Sequence, residues 1–466
     1  FIVGVQGSEK QHTDAIEALI INELTRISQE GIEQQNLDAM LHQLELSQRE
    51  IGGDSYPYGL QLILQSLAGA MHGGDPIALL DVDKALKQLE QEIRSPKFIP
   101  ELVQEWLLDN PHRLTLTLVP DIHLSKQKEE IENSKLARIK ASLSDEDKNA
   151  IIEQALALQE RQAQVDDESI LPEVTKEDIP ADIKQYHGDV SEEGIRKTHY
   201  VCGSNGLSYQ QIYIDMPKLT EQEQAVMPFF SSCLSEVGSA SRDYLQTQAL
   251  QASVTGGLGS RMSIRDRLLS NQEVQTHYVL SSKALNRNAE AMSELLHETL
   301  YSARFDETQR LNDLISQIRS AVDQGVTASG HMHAMKAAAQ NFSSIAKWQF
   351  ERSSLAGINF IKEYCDQLAN GTIDIHDLAN TFESIRDKLA NGSKQVLLIS
   401  DEEGAKDIQE SANRVWGEDQ GKSESVFSLT SSGEPVKQAW LTSTQVNFCA
   451  LAFPAVPAGH EDAPKL

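Results

Sequence analysis

The amino-acid sequence predicts an α+β protein in which antiparallel-rich sheets are covered by packed helices, built from one domain that occurs twice. Short segments with the period-two alternation of half-buried strands stand between amphipathic stretches with helical spacing. A series of such elements recurs in the same order about 275 residues further along the chain. Two charged helical stretches without glycine separate the two copies, which indicates a helical connector.

The first copy begins with a strand-like apolar run at Phe1–Val5. Apolar residues then recur at helical spacing over residues 14–27 and 33–49, which predicts two amphipathic helices. Further helices lead to the segment HRLTLTLVP at His112–Pro120. Because leucines alternate with threonines there, we predict a strand with one buried face.

The second copy contains the same elements in the same order. Tyr278–Ser282 is strand-like, Met292–Leu300 has the helical pattern of the first amphipathic stretch, and Gln395–Ser400 predicts a closing strand. A further helix repeats the spacing of Leu37, Met40, Leu41 and Leu44 at Leu311, Leu314, Ile315 and Ile318. Duplication of one domain is the economical explanation, and chance similarity of amphipathic helices is the alternative.

The connector between the copies consists of two predicted helices and a tether. Residues 124–143 are rich in Lys and Glu, and Ser144 with Asp147 forms a capping-box start for a helix over residues 145–164. Two such helices in succession indicate a hairpin. Residues 166–194 carry Pro and Gly breakers and many acids, which is typical of an extended tether.

Turn and cap signals organise the remaining sequence. Asn205-Gly206 stands between two strand-like runs and predicts the tight turn of a β-hairpin. Thr220 and Glu223 predict the capped start of a helix that continues to Glu236. We also predict a glycine-bearing strand over residues 254–263, a helical block over 286–389 and the start of a strand-rich unit over 439–453.

Composition limits the classes of function. The chain has 466 residues, enough for two or three domains, and a formal net charge of -28 that argues against a nucleic-acid partner. The acidic excess is that of a solvated surface, or alternatively of a chamber that attracts basic peptides. No apolar run reaches the ~18 residues of a membrane span. Four scattered cysteines, with no CxxC pair, predict buried free thiols in a reducing compartment.

The segment WLLDNPHRLTLTLVPD at residues 106–121, followed by LARIKASLSDEDKNAIIEQALALQERQ at 136–162, resembles subfamily C of the M16 zinc metallopeptidases, the presequence-protease-like members of the insulinase superfamily. The resemblance implies LuxS/MPP-like domains, four in all, in two halves that a helical hairpin joins. It places the end of a second domain at 1–121, the hinge and tether at 122–195, a third domain at 196–430 and the start of a fourth at 431–466. The chain would then be a fragment.

No zinc motif is present in the sequence. The family motif is HxxEH, and at His42–Leu46 the leucine stands where the second histidine is required, so we predict a surface polar pair on a helix. His297 and Glu298 open the HExxH form, but Tyr301 replaces its last ligand and a structural role is favoured. His331 and His333 are two residues apart and point to different sides of a helix. We therefore predict no catalytic and no metal-binding residue in this chain.

Two glycines are the candidate site residues. By the family resemblance, the strand that bears Gly256 and Gly257 faces the enclosed chamber, where glycines would let a peptide backbone pass closely. A bulge or a tight strand crossing is the alternative explanation of the glycine pair. Neither a phosphate loop nor a GxSxG nucleophile is present. His199 lies three residues before Cys202 on one predicted strand, so their side chains should point to opposite faces.

The function that the resemblance implies is that of the hinge and part of the chamber wall in a zinc metallo-oligopeptidase. The parent would degrade unstructured peptides by attack of zinc-bound water, with zinc ligands and the peptide-cleaving half outside this chain. The chain alone would be inactive. The alternative is a non-catalytic scaffold or partner subunit. The location would be the cytoplasm in a bacterium, or an organelle matrix in a eukaryote.

Overall fold

The computed structural model describes residues 1–52, 56–165, 167–182, 185–417, 421, 429, 434–442 and 446–463. They form two compact units that interleave along the chain. The first unit comprises Phe1–Gly31 with Pro96–Gln185, and the second comprises Ile32–Ser95 with Tyr186–Leu466. The domain boundaries that the resemblance implies belong to a longer protein and stay a prediction.

The helices of the described residues are as follows. They are α1 (Thr13–Glu30), α2 (Gln34–Arg49), α3 (Tyr58–Ala70), α4 (Val82–Glu92), α5 (Phe98–Val103), α6 (Leu124–Ser142), α7 (Asp145–Ala163), α8 (Glu221–Cys233), α9 (Tyr244–Val254), α10 (Ala289–Ser302), α11 (Thr308–Ala328), α12 (Gly330–Ala339), α13 (Ser344–Arg352), α14 (Leu355–Ala369), α15 (Ile375–Ala390) and α16 (Ala405–Trp416). None of these helices is long and apolar enough to cross a membrane.

The strands of the described residues belong to the second unit and form one six-stranded sheet. They are β1 (Asp189–Ser191), β2 (Arg196–Val201), β3 (Leu207–Asp215), β4 (Leu258–Arg267), β5 (Ser270–Leu285) and β6 (Lys394–Ser400). Their order across the sheet is β1-β2-β6-β3-β5-β4. Only β2 and β6 pair in parallel, and the other neighbours are antiparallel. The fold is therefore α+β with a mixed sheet.

The first unit is built on α1, which packs against α5 and a π-helical turn at Gln104–Leu108. The connector helices α6 and α7 form as predicted, and the Asp147 backbone N–H donates to Ser144 Oγ at 3.1 Å in the capping box. Every residue of both helices is exposed, so the two bury no common apolar face. Their arrangement as a hairpin stays a prediction.

Two strand predictions in the first unit are wrong. Phe1–Val5 and His112–Pro120 are irregular, and the side chains of Leu114 and Leu118 are 86% and 85% exposed. Alternation decides which face of a strand would be buried, but a strand also needs a neighbouring backbone to pair with. Neither segment has such a partner among the described residues. With α1 they line a cleft of about 960 Å³.

The hairpin prediction in the second unit is half correct. Asn205 and Gly206 have φ of 57° and 82°, as a primed turn requires. The flanking strands β2 and β3 do not pair with each other, however, because β6 lies between them and bonds to both. Residues 202–206 form a connection long enough to span the ~10 Å of two strand spacings.

The main core lies between the sheet and the helices that follow β3. Phe230 of α8 is at its centre, with ring centroids 5.7 Å from Tyr278, 6.0 Å from Phe305 and 5.6 Å from Phe382. All four rings are fully buried. Such aromatic clusters supply large apolar burial together with favourable edge contacts, so strand β5 and helices α8 and α15 are joined by one packed cluster.

Of the remaining predictions for the second unit, some are confirmed and others are wrong. The helical block is confirmed as α10–α15, and the closing strand is confirmed as β6. The glycine-bearing strand begins later than predicted, because α9 continues to Val254 and the turn that follows occupies residues 255–257. In 439–442 and 446–453 no strand is present. Cys233 and Cys365 are buried, but Cys202 and Cys449 are exposed, contrary to the prediction of buried thiols.

Helix α8 begins at a buried carboxylate that ties it to α15. Glu223 accepts hydrogen bonds from the Thr220 backbone N–H at 2.7 Å, from Lys388 Nζ at 2.6 Å and from Ser384 Oγ at 2.8 Å. Burial opposes ionisation, but the bonds from Lys388, Thr220 and Ser384 outweigh it and hold the pKa of Glu223 below its usual value. The capping box predicted at Thr220 therefore also serves as a tertiary contact.

We expect Glu223→Gln to lower the free energy of unfolding by about 2–4 kcal/mol, since it leaves the Lys388 ammonium without its anionic partner. Because the folded pKa is depressed, this stabilisation is present above the unfolded pKa of about 4.3 and is lost as pH falls through the folded value. Urea unfolding at pH 7 and at acidic pH measures both effects. The exposed Glu221→Gln in the same helical turn is the matched control, and equal losses in the two variants would contradict the prediction.

Candidate functional site

The predicted site residues lie where α2 packs against α9 and β5 of the second unit. Gly256 and Gly257 follow the end of α9 and precede β4, so they belong to a turn at the margin of the sheet. The Gly256 backbone N–H donates to the Lys283 carbonyl at 2.8 Å. Ser282 Oγ donates to the Gly257 carbonyl at 2.9 Å, and Thr255 Oγ1 accepts from the Gly257 N–H at 3.1 Å. The turn is therefore fixed to β5.

The two glycines are required for different physical reasons. A Cβ on Gly256 would lie 2.8 Å from Leu46 Cδ2 and 2.8 Å from Lys283 Cε, so helix α2 approaches the backbone closely there. Gly257 has open space around its Cα, but its φ of +101° is one that L-residues rarely adopt. Gly256 thus faces α2, whereas Gly257 is exposed. Passage of a peptide along this turn stays a prediction.

Charged side chains surround the contact between α2 and the sheet. Glu45 accepts hydrogen bonds from Arg287 Nη2 at 2.6 Å and from Arg49 Nε at 3.0 Å, and Lys283 pairs with Glu50. The Arg287 guanidinium holds the pKa of Glu45 below its usual value despite partial burial. Glu45 is therefore committed to two cations and is not free to act as a general base.

The prediction of a surface polar pair at His42 is wrong. His42 is only 7% exposed, because α9 covers this face of α2, and its Nε2 has no hydrogen-bond partner in the part of the chain that the structure describes. Burial, and then the positive charge of Arg287, lowers the pKa of the imidazole. Leu46 supplies no ligand atom, so this donor set does not fit a zinc ion.

The other histidines have structural contacts. The His297 ring stacks on Tyr301 with centroids 4.4 Å apart, and Glu298 accepts hydrogen bonds from Ser239 and Arg242. His333 Nδ1 lies 2.8 Å from Ser354 Oγ.

His199 is buried on β2, with its Nε2 3.0 Å from Ser400 Oγ. Nowhere in the described ranges do three His, Cys, Asp or Glu side chains cluster as metal ligands would.

Sequence reasoning missed a concave feature of the second unit. Helices α8 and α13 and strand β4 enclose a recess of about 410 Å³. Two arginines, Arg261 and Arg352, line it although they are far apart in the sequence. No spacing rule joins a strand residue to a helix residue at that separation, so only the packing of the three elements shows the recess.

We expect Gly256→Ala to lower the free energy of unfolding by about 1–3 kcal/mol, because the new methyl group would overlap buried Leu46. Urea denaturation of the purified chain measures the loss. Gly203→Ala is the control, since a Cβ there meets nothing within 4 Å and the change should stay within about 0.5 kcal/mol. Adding Leu46→Ala should make the two effects non-additive, and strict additivity would contradict direct contact.

Comparisons with known proteins relate this sequence to one peptidase subfamily. The family model for the region associated with subfamily C of the M16 peptidases matches residues 118–364. "Presequence protease, mitochondrial" from Danio rerio is 29% identical over 78% of this chain and 36% of its own length. The Drosophila melanogaster protein of that name is 26% identical over 100% of this chain and 45% of its own length. "Presequence protease 1, chloroplastic/mitochondrial" from Arabidopsis thaliana is 24% identical over 84% of this chain and 36% of its own length.

The chain therefore spans less than half the length of these curated relatives. A crystal structure of a conserved protein from Enterococcus faecalis V583 has a TM-score of 0.36 and 9% identity over 52% of this chain and 55% of that chain, a likeness too low to bear on the fold. The match of the family model covers more than half of the sequence, including α6, α7 and most of the sheet. By that match, the chain belongs to the peptidase-associated family of M16 subfamily C.

Proposed function

We propose that this chain is the hinge and part of the chamber wall of a zinc metallo-oligopeptidase that degrades unstructured peptides. The observation that carries the proposal is the family match over residues 118–364, which includes the connector helices and most of the sheet that follows them. The span of this chain, under half the length of the relatives, supports a division of labour in which other parts of the parent supply the chemistry.

The zinc ion of the proposed parent would activate a water molecule for attack on the scissile carbonyl. Its ligands would lie outside this chain, because the sequence has no HxxEH motif and its nearest match, His42–Leu46, has leucine where the second histidine is required. Glu45, paired with Arg49 and Arg287, would have no part in proton transfer. On this proposal the isolated chain binds but does not cleave peptides.

The hinge assignment is supported by the exposure of α6 and α7. A segment that carries an opening motion must not be bound into a core, since local motions are drawn from regions with few buried contacts. Every side chain of both helices is exposed within this unit, and the capping box at Ser144 fixes the start of α7. The helices can therefore move as rods about the short link at residues 143–144.

The acidic charge of the chain favours basic, extended peptides as substrates. A net charge of -28 attracts cationic chains and repels nucleic acid, and screening by salt would weaken the attraction. The printed name of the relatives, presequence protease, supports a peptidase as the parent. Their printed locations, mitochondrial or chloroplastic, support an organelle matrix for a eukaryotic source, and the cytoplasm stays the proposal for a bacterial one.

An immunoprecipitation tests the proposed function. An antibody against this chain is used to isolate the native protein from source extract, and the precipitate is assayed with an unstructured fluorogenic peptide. We expect cleavage that a zinc chelator abolishes and that added zinc restores, whereas the purified 51.6 kDa chain should show none.

Two results would contradict the proposal. Cleavage by the purified chain would mean that the chemistry lies within it. A native protein of 51.6 kDa that lacks activity would instead favour the non-catalytic scaffold or partner subunit.

The hinge is tested by treating the immunoprecipitated, active protein with a lysine-reactive cross-linker. Lysines 126, 128, 135 and 140 of α6 are exposed and within reach of the reagent. We expect cross-linking to reduce turnover severalfold if opening limits the rate. Arginine at these four positions keeps the charge but does not react, so this variant should retain turnover after treatment. Equal inhibition of both proteins would contradict a hinge in α6.

A further inference from the structure

The recess between α8, β4 and α13 is built to hold an anion against an apolar wall. Its volume of about 410 Å³ falls in the usual range for small-ligand sites. Apolar side chains from all three elements line it, and four polar side chains stand at its margin. The apolar group is Met227, Pro228, Met262, Ile264 and Trp348, and the polar group is Ser231, Ser263, Gln349 and Ser353.

Arg352 differs from the other half-buried arginines of this unit. Arg310 and Arg386 reach carboxylates at 3.1 and 2.8 Å, and Arg319 lies 3.4 Å from one and closer to another. The Arg352 guanidinium instead lies over the Trp348 ring, 5.3 Å from its centroid. Its Nε is buried and donates no hydrogen bond within the described ranges. The Nε–H group has therefore lost water without gaining an acceptor among the described residues.

The pKa of Arg352 also reflects the lack of an anionic partner. Burial lowers the pKa of its guanidinium, and the carboxylates of Glu351 and Glu221 only partly oppose that effect. Neither carboxylate forms an ion pair with it in the part of the chain that the structure describes. An anion bound in the recess would supply the missing partner.

A second arginine and the sheet edge complete the site. Arg261 of β4 is exposed, lines the same recess and has no ion pair among the described residues. Strand β4 is one edge of the sheet, and its residues 261–264 border the recess, so its outer backbone groups have no strand partner among the described residues. Two arginines that border one recess beside a strand edge match a carboxylate that is attached to a peptide backbone.

We propose that this recess binds the carboxyl-terminal residue of a peptide. Arg261 and Arg352 hold the carboxylate, the edge of β4 pairs with the peptide backbone, and the terminal side chain packs on Trp348 and Met262. Glu221 and Glu351 act against a dianion, which disfavours a phosphate. Binding at this site does not depend on the proposed zinc peptidase function, because none of these residues belongs to that chemistry.

Calorimetry on the full chain tests the proposal with a tetrapeptide, Ala-Ala-Ala-Phe, that has a free carboxyl terminus. We expect it to bind at least about tenfold more tightly than its carboxamide, since the amide cannot accept charge-assisted hydrogen bonds from two arginines. R352Q and R261Q should each weaken binding of the free acid by about tenfold or more and leave the amide unchanged. R265Q, on the same strand but outside the recess, is the matched control and should retain affinity.

The competing ligands decide the chemical class. If 3-phenylpropionate binds as tightly as the tetrapeptide, the site takes small acids and the peptide proposal is wrong. If inorganic phosphate displaces the tetrapeptide at similar concentration, the site is a general anion site and the proposal is wrong. If the folded chain does not bind the tetrapeptide, the proposal is also wrong. Should R352Q fail to fold, the exposed R261Q variant alone decides the outcome.

Discussion

The second unit depends on the insertion of β6 between β2 and β3. This strand pairs in parallel with β2 and antiparallel with β3, and its buried residues, among them Val396 and Leu398, form the middle of the sheet. Asp401, directly after it, accepts hydrogen bonds from the Gly206 N–H at 2.7 Å and from Asn286 Nδ2 at 2.8 Å. The last strand thereby fixes the turn before β3 and the end of β5. Such non-local pairing requires the long helical segment to fold back before the sheet is complete.

Helix α2 packs at the margin of this sheet. It packs on α9, closes over the turn at Gly256, and is held by charged pairs that join Glu45 to Arg287 and Glu50 to Lys283. Glu45, Glu50 and Lys283 are partly buried and Arg287 is exposed. Partial burial makes these pairs contribute more than fully solvated ones, although desolvation offsets part of the gain. A helix from the first hundred residues is thus an integral part of the second unit, while the connector helices remain exposed in the first.

The same unit contains two sites of opposite character. Around α2 every charged group that we describe has a partner, which is typical of a structural contact. In the recess beside β4, Arg352 and Arg261 lack one within the described ranges, which is typical of a place where a ligand completes the charge balance. Because the chain is acidic overall, two cations without ion pairs among the described residues beside this recess favour a negatively charged ligand. The proposed hinge and the proposed carboxylate site therefore rest on separate features of the fold.

Local chemistry was readable from the sequence, and long-range pairing was not. The capping boxes at Ser144 and Thr220, the positive φ values at Asn205-Gly206 and the amphipathic helices follow from interactions within a few residues, and the structure contains them. The alternation at His112–Pro120 predicted a strand that has no partner among the described residues, and the turn at Asn205-Gly206 joined strands that another strand separates. Burial of His42 and the position of Arg261 and Arg352 beside one recess were likewise decided by packing. The physical reason is that caps and turns satisfy their own backbone, whereas strands, buried cations and recesses are completed by residues distant in the chain.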